Sequence, residues 1–502
     1  MKKVIVIGAG VAGLASACRL QANGYQVEIY EKNDIPGGKM HQIRKDGYTF
    51  DVGPTLVMMP DLYEDVFLQA GKNPKDYIQM KRLEPMYTVY FDRPDHARYD
   101  VSSDMVELNR MLEARSPEVA LGFKRYLAEI YRRYQIALKH FIRRPFRKAK
   151  DFYNPRTLKN AWKLKTFDSA DHMMNKYLRD QDIAQMFSFQ TLYIGVSPKK
   201  GPSLYNIIPM IELLYGVWFL KGGMHAMARG MEKLLTDLGG RIHYGKDVQE
   251  IWIEDKQAHG ILVDDERIES DYVISNADFP YTMQSLVKDK SAKGKYTDER
   301  IERMDYSCSC LIFYWGMEKR YPELNTHTFI VSSDLDRNLD QIFSGDFIDD
   351  ASIYLSIPAR GDEDLAPTDK DGFYCLIPVS ELATAKYDYD EKTIERYKEN
   401  ALKKIERLPG LANVRKEIVS ESVFTPIDFK EKFNAKNGAT FGLQPTLRQS
   451  NHWRPQAKSK RVSGLYFTGS STHPGAGVPI VLESGKICAE ELRRDEVSDD
   501  FE

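Results

Sequence analysis

Gly8, Gly10 and Gly13 follow the apolar run Val4 to Ile7 with the spacing G-x-G-x-x-G. Residues of this type at this spacing suit the holding of a pyrophosphate by main chain. Gly8 permits a sharp turn, Gly10 lets the backbone approach the phosphates, and Gly13 lets the following helix lie close to the strand. A helix opening near Val11 would aim free N–H groups and a partial positive charge at the same point. Glu31 closes a second strand, Val27 to Tyr30, 18 residues beyond Gly13. There its carboxylate can accept hydrogen bonds from ribose hydroxyls, and its charge would repel a 2′-phosphate. Strand, turn, helix and acid together predict a dinucleotide site.

Other chemistries find little support. The five cysteines, Cys18, Cys308, Cys310, Cys375 and Cys488, are odd in number and sparse, which argues against a disulfide framework. Cys308 and Cys310 lack a second Cys or His pair at zinc spacing, so no metal is expected. Alternation in "YSCSCLIFYW" places both thiols on one strand face, in the core. "DLDRNLDQIFSG" opens like a calcium loop at Asp334, but Leu339 and Gly345 occupy the required glycine and glutamate positions. Neither G-x-S-x-G nor H-E-x-x-H occurs.

The elements that must position the glycines are spread along the chain. At 502 residues, two or three substructures are expected. A formal charge of −2 gives no global attraction to nucleic acid. The four apolar residues behind Met1-Lys2-Lys3 are too few for a signal peptide, and no run of 18 uncharged apolar residues predicts a membrane span. Residues 105–190 carry apolar side chains at helical spacing, 305–360 read as strands, and 390–407 as a helix. Strand alternation also marks "RIHYGKDVQEIWIED" and "HGILVDDERIESDYVISNAD", and the last 40 residues return to strand, glycine loop and helix. The simplest architecture is discontinuous: a cofactor domain from 1–70, 222–300 and 420–502, with a substrate domain from 71–221 and 301–419.

After Glu31 comes "KNDIPGGKMHQIRKDGYTFDVGPT". The glycine pair with its lysine, Gly37-Gly38-Lys39, resembles the extended fingerprint of FAD-dependent amine oxidases and carotenoid desaturases. "DGYTFDVGPTLVMMP", "FQTLYIGVSPKKGPSLYNIIPMIE", "KGGMHAMARGM", "HWRPQ" and "LYFTGSSTHPGAGVPIVLESGK" extend the likeness nearly end to end. The chain is similar to bacterial phytoene-type carotenoid desaturases, and its middle-region wording to the branch acting on the thirty-carbon dehydrosqualene (4,4′-diapophytoene). The resemblance implies an α/β fold with a Rossmann-type FAD-binding domain of the amine oxidase/phytoene desaturase superfamily. It also implies an inserted α+β substrate and membrane-facing helical domain. FAD would be held by Gly8, Gly10, Ala12, Gly13, Glu31, Lys32, Gly38 and Lys39, by the turn Gly53-Pro54-Thr55, by the backbone of Val248, and by Gly469, Ser470, Gly477, Val478 and Pro479. The activity implied is FAD-dependent stepwise dehydrogenation of CH–CH bonds in carotenoid biosynthesis. Related enzymes that oxygenate carotenoid ends, and amine or porphyrinogen oxidases, share the flavin motifs. A non-catalytic flavoprotein or NAD-binding scaffold on membranes is the rival of another class.

Removing hydrogen from an allylic carbon needs a hydride acceptor that no side chain provides; the cofactor carries it. No general base stands out. His473 is available, but bracing the glycine loop accounts for it better. Two readings fit "SLYNIIPMIELLYGVWFL", Met58 and Met59: wall of an apolar tunnel, or ordinary core. Lys139 to Lys165 holds ten Lys or Arg against one acid, Asp151, with Phe141, Phe146, Phe152, Tyr153 and Trp162 interleaved. That composition suits anionic headgroups and a bilayer interface. The expected partners are therefore a linear polyene and the inner face of the cell membrane, reached from the cytoplasm, with no nucleic acid. These motifs do not encode oligomeric state, the number of desaturation steps or the final electron acceptor. Finally, "HPGAGVP" reads as a second glycine turn between a strand, Leu465 to Phe467, and a helix. Pro479 stands at the first helical position, and Arg493 and Arg494 at the far end. The helix start is expected to face the N1–C2 edge of the flavin.

Overall fold

The computed structural model describes residues 1–146, 149–164, 168–199 and 201–499. Its first sheet is parallel throughout, in the order Leu465–Phe467, Tyr272–Ser275, Lys3–Ile7, Gln26–Tyr30, Arg241–His243. The strand Lys3–Ile7 lies at its centre with Val4, Ile5 and Val6 fully buried, as a continuous apolar run covered on both faces must be. Segments from the N-terminus, the middle and the C-terminus thus make one sheet. The helices Val11–Ala22, His225–Asp237 and Val478–Asp499 pack with it. A β-carbon on Gly485 would fall 2.8 Å from the carbonyl oxygen of Ala12, so glycine sets how closely the first and last helices cross.

A three-stranded antiparallel sheet, Val248–Glu254, Gln257–Val263 and Glu266–Glu269, adjoins this unit. The other large layer is a seven-stranded sheet. Its order is Ile418–Phe424, Ser309–Met317, Gly372–Val379, Ile353–Ser356, His327–Val331, Tyr87–Phe91, Arg98–Val101. Only the pair His327–Val331 and Tyr87–Phe91 is parallel. The expected domain border at 420 falls inside the edge strand Ile418–Phe424.

Both faces of the seven-stranded sheet are buried. Along Ser309–Met317, Ile312 and Tyr314 face a helical layer that includes Pro117–Ala137, Ala170–Leu178 and Ile207–Tyr215. Leu311, Phe313 and Trp315 face the helices Leu335–Ser344 and Glu391–Ile405. Cys310 packs with the first set, whereas Cys308, just ahead of the strand, packs with the second. Strand alternation starts only at Ser309, so Cys308 lies outside the strand, and the two thiols join different parts of the core. Asp334 accepts a hydrogen bond from Arg337 N and caps a helix, which accounts for the false calcium-loop pattern.

Among the described residues, no helix is long and apolar enough to cross a membrane.

Candidate flavin site

A cavity of about 390 Å³ runs between the parallel sheet and the seven-stranded sheet. Gly8, Gly10 and Ala12 line it at the carboxyl end of Lys3–Ile7. Gly8 has φ +92°, a turn that only glycine makes without strain. No side chain caps the helix Val11–Ala22, whose first residue follows Gly10. Gly13 stands behind the wall. A β-carbon there would lie 2.4 Å from Gly8 O, so it serves strand–helix contact, as its position in the motif requires. Glu31 also lines the cavity. One carboxylate oxygen accepts from Ala9 N at 2.7 Å, and the other from Asn33 N and Nδ2 at 2.9 and 2.7 Å. The carboxylate therefore braces the turn while presenting its remaining lone pairs to the cavity.

Gly37 and Gly38 have φ of +114° and +56°, and Gly37 N donates to Ala9 O at 2.8 Å. A β-carbon on Gly38 would come within 3.3 Å of Gly10 Cα. The two glycine turns are nested, and both are on the cavity wall. Lys39 reaches Thr440 O with its Nζ at 2.8 Å, and Lys32 reaches Glu431 O and Asn434 Oδ1, both at 2.8 Å. Burial lowers the pKa of both ammonium groups. Lys246 and Lys432 join them on the wall, close to Glu31, and Val248 follows two residues after Lys246.

The turn Gly53-Pro54-Thr55 lines the cavity from above the seven-stranded sheet, and three tyrosines of that sheet hold it. Tyr314 donates to Val52 O at 3.0 Å, Tyr374 donates to Gly53 O at 2.8 Å, and the Tyr354 hydroxyl is 2.5 Å from Thr55 Oγ1. Gly469, Ser470, Gly477, Val478 and Pro479 line the cavity as well. Gly469 and Gly477 have φ of +127° and +98°, and a β-carbon on Gly477 would meet nothing within 4 Å. The helix begins at Val478, so Pro479 is its second residue, not its first, still where a missing N–H costs nothing. It runs to Asp499, past Arg493 and Arg494, which therefore lie inside it rather than at its end.

Arg454 secures this loop from behind. Buried and without a carboxylate partner, its guanidinium donates to the carbonyls of Leu443, Gln449, Ser470 and Thr472. Burial pushes its pKa down to about 10. His473 is off the cavity wall. Its Nε2 donates to Arg144 O at 3.0 Å, its ring meets Phe146 edge-on, and burial pushes its pKa down to about 4. It braces the loop.

Several wall residues carried no role in the sequence reading. Asn276, Ala277 and Asp278 follow the buried strand Tyr272–Ser275. Asn276 donates to Thr468 O at 3.2 Å, and its Oδ1 packs against Gly10 and Gly13 without a hydrogen-bond partner. The signal available was position, at the carboxyl end of a central parallel strand, where ligands of such sheets gather. Cys308 and Cys310 also face the cavity, so they are wall as well as core. Beyond the glycine turns the wall is apolar: Met58, Phe189, Ile312, Phe329, Val331, Leu335 and Leu376. Among the described residues, nothing from 203–220 lines it. Ile207, Met210, Ile211 and Leu213 pack into the helical core, and Met59 packs beside it. Of the apolar wall residues, Ile312, Phe329, Val331 and Leu376 come from the seven-stranded sheet.

Nested glycine turns, an uncapped helix start and an acid at the end of the second strand fit a flavin dinucleotide. Residues 11–493 match the family described as flavin-containing amine oxidoreductase, and the chain belongs to it. Its cofactor is FAD. The chain is 46% identical over 496 residues to the 4,4′-diapophytoene desaturase (4,4′-diaponeurosporene-forming) of Staphylococcus haemolyticus (strain JCSC1435), covering 98% of this chain and 99% of that one. It is 45% identical over 498 residues to the protein of the same name from Staphylococcus aureus (strain Newman), with 98% and 99% coverage. Solved structures share the fold. An oxidoreductase from Methanosarcina mazei aligns with TM-score 0.66 at 18% identity, over 97% of this chain and all of that one. Putrescine oxidase bound to putrescine aligns with TM-score 0.63 at 15% identity, over 98% and 99%.

Proposed function

We propose that this enzyme dehydrogenates 4,4′-diapophytoene stepwise, forming a conjugated thirty-carbon carotenoid such as 4,4′-diaponeurosporene. The end-to-end identity to desaturases of that name carries the reading. The apolar wall beyond the glycine turns supports it, because a hydrocarbon substrate offers nothing for polar groups to hold. FAD, when bound, supplies the hydride acceptor. Gly8, Gly10, Ala12, Gly38, Lys39 and Glu31 would hold its dinucleotide, with Lys32 alongside. Val248 would meet the adenine through its backbone. Gly53-Pro54-Thr55, Gly469, Ser470, Gly477, Val478 and Pro479 would surround the ring. The cofactor unit is 1–70, 222–300 and the C-terminal part beyond the strand Ile418–Phe424; the rest forms the substrate unit.

A hydrocarbon this apolar resides in lipid, so the enzyme works as a peripheral protein on the inner face of the cell membrane. The aromatic residues of 139–165 divide. Phe141, Phe146 and Phe152 are buried, while Tyr153 and Trp162 are 52% and 81% exposed. Trp453, 40% exposed, packs against Phe152 and lies near Tyr153. With exposed Lys150 and Lys159, these three aromatics form a basic, aromatic surface suited to anionic headgroups. Arg147, Lys148 and Lys165 lie outside the described residues.

Co-expression with a dehydrosqualene synthase tests the activity. Pigments with added conjugated double bonds are expected. Unchanged 4,4′-diapophytoene, or a product oxygenated at its ends without new double bonds, would overturn the reading.

A further inference from the structure

Behind the apolar wall lies a buried polar cluster that packing does not require. Tyr354 lines the cavity. Its hydroxyl sits between Thr55 Oγ1, at 2.5 Å, and His327 Nδ1, at 2.8 Å. His327 lies on the neighbouring strand, directly across from Ser356, and is fully buried. Its Nε2 has no partner, and neither has Ser356 Oγ. Two unsatisfied polar atoms in a sheet interior carry a desolvation cost that apolar residues there would avoid. Unsatisfied buried groups of this kind call for an explanation, and a chemical role is one. The other charged groups on the cavity wall belong to the cofactor end or are engaged. Asp278, for one, accepts from Ser471 Oγ and Lys436 N.

We propose that Tyr354 is the proton acceptor of the dehydrogenation, and that it hands its own proton to His327. The inference rests on the desaturase reading. With FAD bound to accept hydride from one allylic carbon, the neighbouring C–H bond would break and its electron pair would become the new C=C bond. The released proton bonds to the Tyr354 oxygen while the phenolic proton passes to His327 Nδ1. This requires the imidazole to be neutral with Nδ1 free to accept. Burial holds it in the neutral form, pushing its pKa down to about 3. A carbon acid next to a developing allylic cation is acidic enough to protonate so weak a base. The burial that disfavours imidazolium also returns the proton promptly. Thr55 in turn donates to the Tyr354 oxygen and aims its remaining lone pair.

Two variants separate this role from simple tethering of the turn. Tyr354→Phe removes the acceptor. His327→Gln removes the relay while leaving the Thr55–Tyr354 bond. FAD content and melting temperature establish that each is folded. With 4,4′-diapophytoene under anaerobic conditions, both variants should bleach flavin about 100-fold more slowly than wild type. KM should stay near wild type, and the solvent deuterium isotope effect of the wild type should be lost. A His327→Gln enzyme with wild-type rate and isotope effect would overturn the relay, whatever Tyr354→Phe does. Independently of turnover, ¹⁵N-histidine spectra of the full chain should show His327 protonated at Nε2 alone. Protonation at Nδ1 would overturn the proposal, because that nitrogen could then only donate. If wild type itself fails to bleach with this substrate, the desaturase reading falls instead, and the tautomer measurement still judges the relay geometry.

Discussion

Asn276 stands so close to Gly10 that a β-carbon on the glycine would lie 2.6 Å from the asparagine Oδ1. The amide cannot swing clear without giving up its bond to Thr468 O. One side chain thus joins the first glycine turn to the strand Leu465–Phe467 and its following loop. Gly10→Ala should weaken FAD retention by about tenfold, in the range expected for overpacking. Asn276→Ala in the same chain should restore part of it. The ratio of flavin to protein absorbance after gel filtration reads both.

Gly477 has φ +98° and open space in front of it. Gly477→Val meets no wall, but it places a β-branched residue in left-handed backbone and projects two methyl groups into the cavity. Loss of bound FAD, or a lower reduction potential in whatever flavin remains, is expected from spectroelectrochemical titration. Unchanged values of both would refute a flavin ring at this loop.

Glu212 is fully buried, with Gln190 and Tyr87 as neighbours and no cation. Burial pushes its pKa from 4.5 up to about 8. The native state therefore binds this proton more tightly than the unfolded chain. Its stabilising effect is complete below pH 4.5 and is lost as pH rises through about 8. Glu212→Gln should leave thermal stability little changed at pH 5 and raise it relative to wild type at pH 9. A melting difference that does not grow with pH would refute a buried neutral carboxyl.

Trp162 and Tyr153 face outward beside Lys150 and Lys159. Replacing both aromatic residues with alanine, or both lysines with glutamate, should reduce co-sedimentation with phosphatidylglycerol vesicles by about tenfold or more, at roughly 1 kcal/mol per basic residue. Melting temperature should hold, since neither pair is core. Full binding by both variants would place the membrane contact elsewhere.

The glycine turns were legible because backbone chemistry leaves few substitutes. Gly8 needs positive φ and Gly13 needs the absence of a β-carbon, and each requirement is local. Glu31 was legible through its distance from Gly13. The parallel sheet followed from apolar runs at both ends of the chain. The substrate wall was not legible, because an apolar stretch reads alike whether it faces a cavity or a core. Ile207, Met210, Ile211 and Leu213 went to the core, while Phe329, Leu335 and Leu376 met the cavity from strands and a helix far apart in sequence. Asn276 and the Tyr354–His327 pair depend on strand register between distant segments, which periodicity cannot supply. The aromatic residues at 139–165 read as one surface, yet Phe141, Phe146 and Phe152, on separate segments, pack inward.

Tyr314, Tyr374 and Tyr354 fasten the turn at residues 52–55 to the seven-stranded sheet at three successive points. A lid stitched in this way does not swing open to admit a thirty-carbon chain broadside. A linear hydrocarbon has to thread in end first, and how far it has slid decides which carbons face the ring. Depth of insertion then acts as a ruler. One fixed catalytic point can serve several positions along the same molecule.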